Sequence, residues 1–231
     1  YDVRLAVEGY AEPIVLHKAL TVSGPRPRVR HATVAQPPDL PVAIRDGELP
    51  AGSFLSALLS VDNSTASASA TLGCDNLTAP KVTAAVGAPR DGVKLESVQQ
   101  GSYYLSFDPG RWPGGCHLTL IFHNGDGPSD PRPLGKVVRA PRIDSFKLSD
   151  EQGPEDTYIG VLTGRDLELI ERVGWNATDS VPVPGLPTPL PGESYLQQLR
   201  IRVTWPSPVP HAPLYVWLRG EPEGRATRAR Y

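Results

Sequence analysis

The side chains that most often carry out chemistry are thinly scattered along this sequence. The histidines are His17, His31, His117, His123 and His211. His117 and His123 flank one strand-like run and would face the same side of it, about 20 Å apart, so one metal ion could not bind both. The sequence contains no GxSxG, HExxH or phosphate-loop pattern. We therefore predict no catalytic residues, no metal site and no cofactor.

Two acidic segments could offer oxygen ligands to calcium. Asp126 and Asp130 lie in a turn after a strand, and acidic pairs at 150–151 and 155–156 bracket a Gly-Pro loop. Calcium needs about six to eight oxygen ligands, and neither segment has the spacing of a known calcium loop. Solvated turn carboxylates are favoured, with calcium binding as the open alternative.

The two cysteines suggest a structural bond rather than a reactive site. Cys74 and Cys116 are 42 residues apart, with no CxxC pattern and no histidine at metal-ligand spacing. We predict a disulfide, contributing about 3–4 kcal/mol by loop entropy, in preference to two buried thiols. A disulfide in turn predicts an exported protein, located outside the cell, at its surface or in the periplasm.

Aromatic residues provide the best hypothesis for a binding surface. In the run 214–219, aliphatic residues alternate with aromatic ones, so an inward aliphatic face would leave an outward aromatic face. The predicted patch consists of Tyr215, Trp217, Trp205 and Trp175. It could stack on a sugar or dock a protein. The favoured alternative is that these rings fill the core or lie beneath the proline-rich segment 181–191.

Composition narrows the class of protein further. The chain has 23 basic and 25 acidic residues and no run of five like charges, so we expect no nucleic-acid partner. Its 26 prolines and 22 glycines are spread among strand-like runs, which favours a turn-rich β protein. No stretch approaches eighteen apolar residues, so no membrane span is predicted. The Ala-, Arg- and Pro-rich bias suggests a bacterial source, and the absence of methionine suggests that the native start lies upstream.

The sequence also repeats itself at a spacing of roughly a hundred residues. The run LTLIF (118–122) aligns with LYVWL (214–218) and with VRLAV (3–7). Similar Pro-Arg joints stand at 27–29 and 141–143. These repeats predict an array of similar β modules.

One segment resembles a known family of modules. The run LTGRDL (162–167), followed by Ile170, Val173 and Trp175, resembles the early strand and turn of IPT/TIG-type immunoglobulin-like modules. The resemblance covers 141–176 and extends only poorly to 27–61. It implies antiparallel sandwiches used in tandem as spacers, adhesive units or scaffolds on extracellular or surface proteins. The proline-rich segment and the shortness of the last module depart from the family pattern.

We therefore predict an all-β fold: two tandem immunoglobulin-like antiparallel β-sandwiches preceded by a β-hairpin from a preceding module. The predicted segments are the hairpin (1–27), a disulfide-bonded sandwich (28–140) and a second sandwich (141–231). Within them we expect strands at 42–44 and 56–61 in the first sandwich and a closing strand at 225–231 in the second. The run 164–173, which aligns with 52–61, should form either a short helical turn or a strand followed by a loop. The proline-rich segment 181–191 should be an extended edge or a loop. The short joint near 140–141 should be stiff.

The predicted function is non-catalytic. The chain would be a structural or interaction module of an exported, cell-surface or appendage protein, binding a protein partner or assembling with itself through its sandwiches. The alternative is a carbohydrate-binding accessory region of a larger secreted enzyme. An enzyme in its own right ranks third.

Overall fold

The computed structural model describes residues 1–20, 24–75, 78–153, 157–203 and 208–231. Within these residues the regular structure is almost entirely β, with short 3-10 helices at Pro109–Arg111 and Leu167–Leu169. None of these helices is long and apolar enough to cross a membrane. At the start of the chain, β1 (Val3–Leu5) and β2 (Ile14–Leu16) form a separate antiparallel hairpin.

The strands between residues 28 and 138 form the first sandwich. They are β3 (Arg28–Ala35), β4 (Glu48–Pro50), β5 (Leu55–Asp62), β6 (Ser69–Cys74), β7 (Val82–Ala85), β8 (Lys94–Gln99), β9 (Ser102–Phe107), β10 (His117–Asn124), β11 (Gly127–Pro128) and β12 (Arg132–Val138). One sheet has the order β3-β5-β9-β8. The facing sheet has the order β4-β12-β10-β6-β7, with β11 paired to β10.

Strict alternation in the sequence explains how these two sheets face each other. In β5, Leu55, Ala57, Leu59 and Val61 are buried while the residues between them are partly or fully exposed. Because successive side chains on a strand point to opposite faces, one face of each strand can join a common core. The same period of two holds in β9 and β10. Across the core, the rings of Tyr103 and Phe122 lie 4.9 Å apart.

The strands from residue 142 onward form the second sandwich. They are β13 (Arg142–Gln152), β14 (Tyr158–Arg165), β15 (Ile170–Gly174), β16 (Val181–Pro182), β17 (Thr188–Leu190), β18 (Glu193–Val203), β19 (Pro213–Leu218) and β20 (Arg225–Arg230). One sheet has the order β13-β14-β18-β17 and the other the order β16-β15-β19-β20.

The strand order identifies both sandwiches as immunoglobulin-like. If the strands are lettered along the chain, each has one A-B-E-D sheet facing a sheet built on C, F and G, with an additional C′ strand beside C. In the first sandwich, a short A′ strand (β4) also pairs in parallel with strand G (β12). The chain is therefore an all-β protein with two tandem immunoglobulin-like sandwiches and a leading hairpin, as the sequence predicted.

Several local predictions are confirmed. The closing strand forms at Arg225–Arg230, and the proline-rich segment supplies edge strands β16 and β17, which suit prolines because an edge strand has an unpaired side. The helical turn is present only in the second copy, at Leu167–Leu169. In the aligned run 52–61, the strand predicted at 56–61 forms as part of β5 (Leu55–Asp62).

The residues of the LTGRDL run have clear physical roles. A side chain at Gly164 would overlap the carbonyl oxygen of Arg142 on the neighbouring strand, so this close approach requires glycine. Asp166 has a φ of 53°, in the left-handed region that Asp tolerates better than most residues. Leu167 then turns back into the core, with none of its surface exposed. The run therefore forms a tight turn from strand B toward strand C.

Candidate functional site: the joint between the two sandwiches

The connection between the sandwiches is short. Strand β12 ends at Val138 and β13 begins at Arg142. Val138 and Pro141 are buried, and both Val138 and Ala140 pack with the core of the second sandwich. The last residues of the first sandwich therefore already belong to the packing of the next, which leaves little freedom at the joint.

A second connection is made by the crossover between β3 and β4. Here the backbone N–H of Ala43 donates to the carbonyl of Ala226 at 2.8 Å, and the N–H of Arg228 donates to the carbonyl of Pro41 at 3.1 Å. Val42 and Thr227 form an antiparallel bridge. This segment of the first sandwich therefore adds a short strand to the outer edge of β20. The prediction that 42–44 is a strand of the first sandwich is wrong, because the backbone N–H and carbonyl groups along the edge of β20 pair with this segment instead.

The same segment contributes to the second core. Val42 is only 1% exposed and clusters with the buried residues of the second sandwich. Complete burial of a valine side chain is worth about 1.5–3 kcal/mol. An apolar residue from one sandwich thus stabilises the other, and the two sandwiches share packing across the joint.

A buried arginine joins the two sandwiches electrostatically. The guanidinium of Arg225 on β20 donates to both carboxylate oxygens of Glu48 on β4, each at 2.7 Å. It also donates to both oxygens of Glu221, again at 2.7 Å, and to the carbonyl of Ala43 at 3.1 Å. All five N–H groups of Arg225 are therefore used, although its side chain is only 1% exposed.

Burial and ionic contacts oppose each other in this cluster. Burial acts to lower the pKa of Arg225, but its hydrogen bonds and attraction to Glu48 and Glu221 raise that pKa above its ordinary value. Burial similarly acts to raise the pKa of Glu48. The hydrogen bonds from Arg225 and from the N–H of Arg45 outweigh it, so the pKa of Glu48 is lowered. Arg225 and Glu48 therefore stay ionised at neutral pH.

Exposed ion pairs surround the buried cluster. Arg228 donates to the carbonyl of Pro38 at 2.8 Å and to Asp39 at 2.9 Å. Arg45 lies 3.3 Å from the carboxylate of Glu223. Exposed pairs contribute at most about 1 kcal/mol each. These exposed pairs therefore contribute to the orientation of the two sandwiches more than to stability. The stability of the joint comes mainly from the buried side chains of Val42 and Arg225.

A groove of about 690 Å³ lies beside this joint, lined by the crossover and by the start of the second sandwich. Its charged side chains include Arg142, which pairs with Asp144 at 2.9 Å, and Arg228, which pairs with Asp39. Each of these two arginines therefore has a carboxylate partner in the lining of the groove, which lies where the two sandwiches meet.

The chain before the first sandwich is also held by side chains. Asp126 accepts a hydrogen bond from the N–H of Gly24 at 2.6 Å. The amide of Asn124 donates to the carbonyl of Pro25 at 3.2 Å, and that of Asn63 donates to the carbonyl of Arg26 at 3.1 Å. The loops at this end of the sandwich therefore fix the direction in which the chain enters.

The predicted disulfide is present. Cys74, at the end of β6, is bonded to Cys116, just before β10, with their Cα atoms 5.7 Å apart. These strands are neighbours in one sheet, so the bond ties strand C to strand F within that sheet. A disulfide and an immunoglobulin-like fold are both consistent with an extracellular location.

The predicted aromatic patch is not an open surface at its centre. Trp217 does point away from the second core, but it is only 1% exposed because Arg172, Gly174 and Gly224 lie against its ring. The prediction of an exposed aromatic patch that includes Trp217 is therefore wrong. Trp205 lies outside the described residues.

The two other members of the patch are half-buried. Trp175 makes edge-on contacts with Phe146 and Tyr231, at ring distances of 5.3 and 5.4 Å, and helps to close one end of the second sandwich. Tyr215 lies on the outer side of β19, beside the strand's core-facing residues. Glycan binding through Tyr215 and Trp175 stays a prediction.

The remaining polar candidates are separated in the structure. His117 contacts Asp75 at 3.2 Å, whereas His123 contacts Thr71 at 3.0 Å. Asp126 is used to hold the entering chain, as described above. Within the described residues, no three His, Cys, Asp or Glu side chains are grouped so that they could hold a metal ion. Residues 155–156 lie outside that part of the chain.

Sequence reasoning missed the residues that form the joint. Glu48 and Arg225 are far apart in the chain, and neither belongs to a motif. One signal was available: alternation along the closing strand placed Arg225 on the same face as Thr227, and that face is buried. An inward-facing arginine requires carboxylate partners, so a search for them would have pointed toward this cluster.

Comparisons with known proteins leave the family open. The chain matches no protein-family model, and no curated protein matches it. Among solved structures it is similar to bovine butyrophilin (11% identity, 85% of this chain and 98% of that chain, TM-score 0.39). It is also similar to a marsupial T cell receptor (11% identity, 73% and 88%, TM-score 0.27) and to a titin fragment (8% identity, 89% and 98%, TM-score 0.32). At such low values, the immunoglobulin-like assignment rests on the strand order alone.

Proposed function

We propose that this chain is a non-catalytic structural and interaction module, in which tandem sandwiches are held in a fixed orientation within an exported or cell-surface protein. The observation that carries the proposal is the joint. A spacer with freely moving domains needs only a linker, whereas here strand pairing, the Val42 contact and the Arg225 cluster all cross from one sandwich to the other. Such contacts favour a protein that must hold a distance or present a surface in a defined direction.

The proposed division of the chain is a hairpin at 1–27, a sandwich at 28–140 and a sandwich at 141–231. The hairpin carries Val3, Leu5, Ile14 and Leu16 on one face, because these residues are direct cross-strand partners. That apolar face is largely exposed, and an isolated hairpin is marginal in water. The sequence of its first strand aligns with the F strands of both sandwiches (β10 and β19), which supports its assignment to the end of a preceding module.

The cellular setting is part of the same proposal. The disulfide supports export, and the Ala-, Arg- and Pro-rich composition together with the LTGRDL run supports an IPT/TIG-like module of a bacterial surface or appendage protein. Labelling intact cells with an antibody raised against the folded chain tests the location. Labelling that requires lysed cells would contradict it.

Small-angle X-ray scattering of the purified chain tests the fixed orientation. One arrangement of the two sandwiches should fit the curve from 50 to 500 mM salt, because the Val42 contact and strand pairing do not depend on ionic screening. A curve that requires a broad range of angles between the sandwiches would contradict the proposed function.

A further inference from the structure

The closing strands of the two sandwiches carry an arginine at the same position. In the second sandwich, Arg225 of β20 lies directly across from Val216 of β19; in the first, Arg132 of β12 lies across from Leu120 of β10. Val216 and Leu120 hold the same place in the repeated apolar run, and both are fully buried. Because cross-strand partners share one face of a sheet, both arginines begin on the core side of strand G.

The surroundings of these two arginines differ. Arg225 is enclosed because Glu48 and the crossover of the preceding sandwich lie against its guanidinium. Arg132 is exposed, and within the part of the chain that the structure describes its side chain has no hydrogen bond and no ion pair. What distinguishes two otherwise equivalent arginines is therefore the covering segment that a preceding sandwich supplies.

The backbone next to the exposed arginine also corresponds to the paired edge of β20. Pro133 follows Arg132 as Ala226 follows the second arginine, and the carbonyl of Ala226 is the one that accepts a hydrogen bond from the crossover. Pro133 keeps such a carbonyl, and its missing N–H suits an edge strand. Leu134, next along the strand, is partly exposed and packs against the first core. Among the described residues, β4 pairs with β12 only at 136–138, beyond this stretch.

Both F–G turns contact the part of the chain that precedes their own sandwich. In the first sandwich, Asn124 and Asp126 hold the entering chain. In the second, Glu223 lies 3.3 Å from Arg45 of the crossover. Strand G starts directly after this turn in each case, so Arg132 stands at the end of the first sandwich from which the chain enters.

We propose that Arg132 and the edge at 132–134 bind the crossover of a preceding immunoglobulin-like sandwich of the same chain. The proposal rests on the proposed function, and it names the partner surface for the module to which the hairpin is assigned. Val42 and Glu48 define the chemistry of the incoming segment: an extended strand with one buried apolar side chain, followed six residues later by a carboxylate. The apolar side chain lies against Leu134, and the carboxylate accepts two parallel hydrogen bonds from the arginine fork.

A chain extended by a copy of its own first sandwich tests this contact. Residues 28–140 replace 1–26, directly before Pro27, which recreates the Ala-Pro-Arg sequence of the present joint. The added copy carries Arg132→Lys, so mass spectrometry after phenylglyoxal treatment reads only the inner Arg132. Modification of this arginine should be about tenfold slower than in the native chain, because two charge-assisted hydrogen bonds hold its guanidinium. Arg202, exposed on the second sandwich, should keep its native rate.

Variants of the added copy identify the partner. Glu48→Gln in that copy should restore most of the reactivity of the inner Arg132. Asp39→Asn, which alters an exposed carboxylate of the same crossover, is the matched control and should leave the protection intact. An inner Arg132 that reacts at the native rate in the folded extended chain would overturn the proposal. Protection of Arg132 in the native chain that grows with its concentration would show that a second copy covers this edge, and would also overturn it.

A synthetic peptide of residues 37–50 gives a second measurement, which does not require the extended chain to fold. Added to the native chain at about 1 mM, it should slow modification of Arg132 about twofold, as expected for a dissociation constant near that concentration. The peptide with Glu48→Gln should have little effect, and equal effects or no slowing would count against the contact. Scattering of the native chain reports its own joint without involving Arg132. A rigid native chain whose Arg132 no segment protects would therefore refute this contact and leave the proposed function standing.

Discussion

Replacing Glu48 by Gln removes one carboxylate from the buried cluster while preserving its shape. Glu48 accepts two charge-assisted hydrogen bonds from Arg225, and such bonds contribute about 1.5–3 kcal/mol each. Gln retains one acceptor oxygen, and Glu221 still neutralises the arginine. The cost is therefore below the roughly 3–5 kcal/mol of an unpaired buried charge. We expect a loss of about 2 kcal/mol.

Chemical denaturation and thermal melting measure this loss. For a cooperative unit of this size, about 2 kcal/mol lowers Tm by roughly 4–8 °C. Glu221→Gln is the matched control, because it removes an equivalent pair of hydrogen bonds within the second sandwich and loses only a long, exposed contact across the joint, with Arg45 at 3.8 Å. Both variants should lose similar stability, whereas only Glu48→Gln should loosen the orientation of the sandwiches. A change below about 0.5 kcal/mol for Glu48→Gln would refute the reasoning, since it lies within ordinary surface effects.

Acid should weaken the same cluster. The folded-state pKa of Glu48 is lowered, so its contribution is complete above the ordinary glutamate pKa of about 4.3 and is lost as pH falls through the lower folded value. Native stability should therefore fall more steeply than that of Glu48→Gln below about pH 4.3. Parallel curves for the two chains would mean that this carboxylate does not couple to folding.

Three other outcomes follow from the structure. Val42→Asp should destabilise the second sandwich by about 3 kcal/mol or more, although residue 42 belongs to the first, because the substitution buries an unpaired charge. If hydrogen exchange showed lost protection only in the first sandwich, the result would argue against the shared core. Replacing Cys74 and Cys116 by Ala should cost about 4 kcal/mol for a loop of this length, and two thiols that alkylate without reductant in the native chain would speak against the bond. Deleting 226–231 should lower the melting temperature of the second sandwich by several degrees, equivalent to about 1–3 kcal/mol, and an unchanged melting curve would show that this strand contributes no packing.

The fold could be predicted because its signals are local. Alternation in runs such as 118–122 and 214–218 marks strands whose inner faces build each core, and turn residues mark the breaks between them. Gly164 and Asp166 could be recognised from residue type, because a close approach of two backbones requires glycine and Asp tolerates the left-handed backbone conformation. Such signals need no knowledge of distant contacts.

The joint could not be predicted in the same way, because its partners are brought together only by the folded chain. Val42 lies in a short apolar run that fits a strand in its own sandwich equally well, and only the open edge of β20 decides its partner. For Trp217, the sequence predicted the correct side of the strand but not the burial of the side chain. Alternation placed it correctly on the outer side, but Arg172 and two close glycines, which alternation does not reveal, remove it from solvent.

Residual dipolar couplings of backbone amides test the central claim most directly, because each rigid body reports its own alignment tensor. If the joint is fixed, the amides of 28–138 and 142–230 should fit one common tensor in magnitude and orientation, and Glu48→Gln should separate them. Two tensors of clearly different magnitude in the native chain would show that the sandwiches move independently and would contradict the account.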